Sequence, residues 1–79
     1  MEGLMRPMNE LADTITLAQR YGITAQEVDS YRTWATDADL VEAACGARAG
    51  GISHLTILQA IRDGVTTERL RAMRTLNEG

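Results

Sequence analysis

Lysine and phenylalanine are missing altogether from this chain of 79 residues, and cysteine, proline, histidine and tryptophan occur once each. A single Cys45 rules out an internal disulfide, and a single His54 with no second cysteine beside it makes a poor zinc set. Cys45 stands among small residues in EAACGARAG with nothing nearby to lower its pKa, so it is expected to be a buried small hydrophobe and not a nucleophile. No run nears the roughly 18 uncharged apolar residues of a membrane span, and MEGLMRPMNE lacks the basic-then-apolar order of a secretion signal. A cytoplasmic protein is the expectation. With β-branched and aromatic runs sparse, a core of Leu, Ile, Val, Ala and Met suits helices better than sheets.

Charge is distributed unevenly. Eight arginines face eleven carboxylates, for a net charge of −3, an unusual balance for a dedicated nucleic-acid binder. Residues 1–42 hold three arginines and eight acids, whereas residues 43–79 hold five arginines and three acids. The two halves therefore suggest faces with different partners.

The halves are also related. At an offset of 42 residues, TITLAQRYGITAQEVDSYRTW (14–34) aligns with TILQAIRDGVTTERLRAMRTL (56–76), with identities at Thr14/Thr56, Ile15/Ile57, Ala18/Ala60, Arg20/Arg62, Gly22/Gly64, Thr24/Thr66, Arg32/Arg74 and Thr33/Thr75. Internal repetition of this kind marks one supersecondary unit used twice. In each copy a small Ala permits close helix approach, and a Gly four residues on can adopt the left-handed turn that ends a helix. An aliphatic residue then plugs the turn and a Thr caps the next helix; Thr24-Ala-Gln-Glu27 has the form of a capping box. Val28, Tyr31 and Trp34 share a face of the following helix, as do Leu70, Met73 and Leu76.

Both copies resemble the helix-turn-helix superfamily, on Ala18, Gly22 and Val28 in the first and Ala60, Gly64 and Leu70 in the second. Gln59 and Asp63 depart from the pattern where apolar residues are preferred, which predicts skewed helix pairing in the second copy. The fold class expected is all-α: about five short helices, with tandem helix-turn-helix-like units in one compact domain spanning 1–79 (first unit 7–35, second 37–76). The helices are expected at about 7–21, with Met8, Leu11, Ile15 and Ala18 inward, and at 24–35. A third is capped by Thr36 or Asp37, buries Leu40, Val41, Ala44 and Cys45, and stops at Gly50-Gly51. A fourth is capped by Ser53 and runs through Arg62 with Leu55, Leu58 and Ile61 in the core, and a fifth spans 67–76. Gly46 inside the third costs about 1 kcal/mol relative to Ala and predicts a close neighbour there.

No phosphate loop and no nucleophile, base and acid at telling spacing is present, so the expectation is a small non-enzymatic regulator without cofactor, metal or small-molecule substrate. The superfamily resemblance implies transcriptional control through DNA contact by the 66–76 helix, with Thr66, Thr67, Arg71 and Thr75 near base edges and Arg62, Arg69 and Arg74 near phosphates, in a homodimer spanning two half-sites. The alternative is an acidic antiactivator or inhibitor that occupies a basic regulatory protein through Glu27, Asp29, Asp37, Asp39 and Glu42, with Tyr31 and Trp34 as aromatic anchors. Tyr31 and Trp34 also suit the core by their spacing.

Overall fold

A computed structural model describes residues 13–78. Five helices follow one another, with no strand among the described residues: α1 (Thr14–Tyr21), α2 (Ala25–Trp34), α3 (Ala38–Ala49), α4 (His54–Arg62) and α5 (Thr67–Glu78). Side chains start all five. The carboxylates of Asp13 and Asp37 and the hydroxyls of Thr24 and Ser53 each accept a hydrogen bond from the backbone N–H three residues on, satisfying donors that a helix start leaves open. Thr66 does the same for α5, accepting from the Arg69 N–H at 3.1 Å. The expected beginning of the first helix, with Pro7, Met8 and Leu11, lies outside the described residues.

Three of the four junctions share one construction. Ile23, Ile52 and Val65 each donate a backbone hydrogen bond, at 3.0, 3.1 and 3.0 Å, to the carbonyl of the alanine five residues earlier: Ala18, Ala47 and Ala60. The residue before each is a glycine at positive φ: Gly22 at 71°, Gly51 at 107° and Gly64 at 88°. Only glycine enters that region without a Cβ penalty, so each helix stops there, and the aliphatic residue that follows turns inward. The two repeats seen in the sequence thus have a third turn between them, Gly51-Ile52-Ser53, built the same way.

Helix α3 is the hub. It packs against α1, α2, α4 and most extensively α5. Seven of its twelve residues are buried: Leu40, Val41, Ala43, Ala44, Cys45, Gly46 and Ala47. Five alanines, a glycine and a cysteine let neighbours approach from several sides, close enough that a Cβ on Gly46 would lie 3.1 Å from Arg74 Nη1 and 3.7 Å from Tyr21 Cε1. The neighbour expected at Gly46 is therefore present, on two sides. Around this hub Leu17, Val28, Tyr31, Ile57, Ile61 and Leu70 complete the core. Helices α1 and α2 close into a packed hairpin, whereas α4 and α5 share little beyond their turn. That skew follows from Gln59, which is exposed, and Asp63, which serves as the C-cap of α4.

Several inward faces differ from expectation. Ile15 is 57% exposed and Leu17 is buried instead; Leu55 is 74% exposed and Ile57 takes its place. Trp34 and Leu76 are also largely exposed, and Leu58 and Met73 only border the core. In α1 and α4 the caps at Asp13 and Ser53 set the phase, so the second residue of each helix faces outward while the fourth turns in. Helix α5 continues two residues past the expected end, to Glu78.

Candidate functional site

Helices α3 and α5 run in the same sense along one side of the molecule, and two polar clefts lie along the seam. The first, about 420 Å³, is formed where both helices begin and is lined by Asp37, Asp39 and Leu40 together with Thr66, Thr67, Glu68 and Arg71. The second, about 290 Å³, lies further along and is lined by Glu42, Ala43 and Gly46 of α3, Arg71, Arg74 and Thr75 of α5, and Tyr21 at the end of α1. Arg71 borders both. The fold has thus placed five of the residues proposed for DNA contact, Thr66, Thr67, Arg71, Arg74 and Thr75, in the same grooves as three proposed for a protein interface, Asp37, Asp39 and Glu42.

Within the DNA set, Leu70 is fully buried beneath α5 and holds the helix to α3, leaving Arg69, Arg71, Arg74 and Thr75 exposed and Thr67 half-buried. The Thr75 hydroxyl donates back to the Arg71 carbonyl at 3.2 Å, a bond within the helix. Arg69 borders a separate groove with Asp63, Gly64 and Met73. Arg62 lies apart from this face: its guanidinium sits 4.7 Å from the centre of the Trp34 ring, a cation–π stack that pins the end of α4 to the end of α2.

Within the protein-interface set, three members carry structural duties. Glu27 forms a complete capping box with Thr24 and a 2.9 Å ion pair with Arg48 Nε, whose Nη1 also donates to the Ile52 carbonyl. The Arg48 bond holds the Glu27 carboxyl below its ordinary range, and the same bond raises Arg48. Asp37 is the N-cap of α3. Tyr31 is fully buried, with its hydroxyl 2.9 Å from His54 Nδ1 and its ionisation pushed up by burial. Asp29 and Asp39 are exposed, Glu42 is half-buried, and Trp34 shows half its surface to solvent.

Tyr21 and Gly46 belong to these clefts without having been singled out as site residues by the sequence. Only Gly46 carried a signal, its presence within a helix. Cys45 is buried and its thiol is pushed up to about 11, chiefly by desolvation, which leaves it unreactive at neutral pH. Among the described residues no group of three His, Cys, Asp or Glu side chains could hold a metal ion, and no helix is long and apolar enough to cross a membrane. Comparison of the chain with protein-family models, with curated proteins and with solved structures finds no match.

Proposed function

We propose that this chain is a small non-enzymatic regulator of the cytoplasm that binds a basic surface of a partner protein, such as the nucleic-acid-contacting face of a DNA- or RNA-binding protein. The observation that carries this reading is the company Arg71 keeps: the clefts it borders hold four carboxylates, Asp37, Asp39, Glu42 and Glu68, against two guanidiniums. A surface of that balance repels phosphate and attracts arginine- and lysine-rich protein, and charge steering would speed the encounter. Of the acidic surface inferred from sequence, Asp37, Asp39 and Glu42 lie along the α3–α5 seam, whereas Glu27 and Tyr31 are spent on the fold.

Isothermal titration of the protein with an arginine-rich helical peptide tests it. Binding that weakens with added salt, and that is lost in Asp39→Arg/Glu42→Arg protein, is expected; an absence of binding at low salt overturns it.

A second reading, transcriptional control by a helix-turn-helix with α5 on DNA, is favoured by the exposure of Arg69, Arg71 and Arg74 on the helix that follows the Gly64 turn. Fluorescence anisotropy with duplex DNA at two salt concentrations separates the two. The DNA reading requires binding that falls steeply with salt and drops further in Arg71→Ala/Arg74→Ala protein.

A further inference from the structure

The two repeats carry the same groove. Beside the α1–α2 turn a groove of about 440 Å³ is lined by Tyr21, Gly22, Ile23, Thr24 and Glu27, and beside the α4–α5 turn one of about 450 Å³ is lined by Asp63, Gly64, Val65, Thr66 and Arg69. These are the same five positions at the offset of 42 residues that relates the repeats. What completes each groove differs. In the first copy the remaining wall is Arg48 and Ala49, the last turn of α3, and the 2.9 Å ion pair ties Arg48 to Glu27. In the second copy the groove runs on between the helices to Ala60 and Met73. Their counterparts Ala18 and Tyr31 are buried, whereas Ala60 and Met73 are half-buried, since α4 and α5 share little beyond their turn.

Charge identifies what fits the second groove. Where Glu27 receives the cation of α3 in the first copy, the second presents the exposed Arg69. Asp63, on the other rim, accepts a hydrogen bond from Gln59 Nε2 at 3.1 Å. A helix end like that of α3 would set its arginine against Arg69, whereas a carboxylate at the same place would complete the pair. We propose that the α4–α5 groove docks a helix of a partner protein, with small residues toward Ala60, Val65 and Met73 and a carboxylate toward Arg69, as the end of α3 docks on the first copy with the charges reversed. The groove shares Val65 and Thr66 with the first cleft of the α3–α5 seam, yet its ligand is independent of what the seam binds.

The test uses two helix-stabilised, fluorescein-labelled peptides of residues 38–52, both with Cys45→Ala and one also with Arg48→Glu, followed by fluorescence anisotropy at low salt. Wild-type protein is expected to bind the Arg48→Glu peptide about fivefold more tightly than the peptide that keeps Arg48, the difference between an opposite and a like charge facing an exposed arginine. Arg69→Glu protein should reverse that order. Ala60→Gln, whose longer side chain occupies the floor of the groove, should lose both peptides, with circular dichroism reporting the helical fold of each variant. Arg69 is exposed, so the charge exchange stands as a test even if Ala60→Gln protein unfolds. No saturable binding of the Arg48→Glu peptide by the wild type, equal affinities for the two peptides, an order unchanged in Arg69→Glu, or full binding by folded Ala60→Gln protein each overturns the proposal. Analytical ultracentrifugation is expected to show no self-association through this groove; association that Arg69→Glu abolishes would assign the groove to a second copy of the chain and overturn it as well.

Discussion

Two glycine-to-alanine exchanges are expected to shift stability in opposite directions. At Gly22 the φ of 71° lies in the left-handed region, and an added Cβ would meet no heavy atom within 4 Å. The cost there is purely conformational, on the order of 1 kcal/mol for an L-residue held in that region. At Gly46 the backbone is already helical, and alanine gains about 1 kcal/mol in helix propensity. The Cβ would come 3.1 Å from Arg74 Nη1, the far end of a long side chain that must yield by a few tenths of an ångström, and 3.7 Å from Tyr21, an ordinary contact. Gly22→Ala should therefore lose about 1 kcal/mol and Gly46→Ala should gain up to about 1 kcal/mol. In a domain of this size that separates their melting temperatures by roughly 10 °C. Urea denaturation followed by circular dichroism, with unchanged slopes, reads the difference directly. Equal losses at both positions, or a reversal of the order, would refute the claim that Gly22 is held by its backbone conformation and that the neighbours of Gly46 can make room.

Leu70→Ala truncates a fully buried side chain of α5 and should cost about 2–4 kcal/mol, measured in the same denaturation experiment; a loss below 1 kcal/mol would mean that α5 is not anchored there. Cys45 should resist alkylation in the native protein: moving its ionisation from 9.0 to about 11 lowers the thiolate population about a hundredfold, and burial slows access further. Labelling with iodoacetamide at equal rates in native and urea-unfolded protein would contradict this. Glu27 has a folded pKa lowered from its ordinary 4.5, so its contribution is complete above that value and is lost as pH falls through the lower, folded one. The stability deficit of Glu27→Gln, about 1 kcal/mol at pH 7, should accordingly shrink below about pH 4.5, and a constant deficit down to pH 3 would exclude the ion pair as its source.

The local grammar of the chain was legible because it depends on neighbours within five residues. Thr24 and Glu27, Ser53, and the glycines at 22 and 64 announce caps and turns by their own chemistry, and all sit where that chemistry places them. Burial was harder to read. In α3 nearly every position faces a neighbour, so no polar stripe marks an outside and periodicity has nothing to report. In α1 and α4 the apolar residues offer two competing faces, and a shift of two positions exchanges Ile15 for Leu17 and Leu55 for Ile57. The seam between α3 and α5 joins residues about thirty positions apart, so the meeting of acids and arginines in its clefts is a product of tertiary packing. The spacing shared with helix-turn-helix proteins is also explained in part by the turns themselves. The same Ala-to-Gly interval closes the α3–α4 junction, where the sequence had suggested no such unit.

These self-contained turns bear on how the chain reaches its fold. Each junction built on Gly22, Gly51 or Gly64 completes its hydrogen bonding within a six-residue span, before any distant part of the polypeptide has been found. Search over long loops is therefore short, and assembly in microseconds to milliseconds is the natural regime for such local wiring.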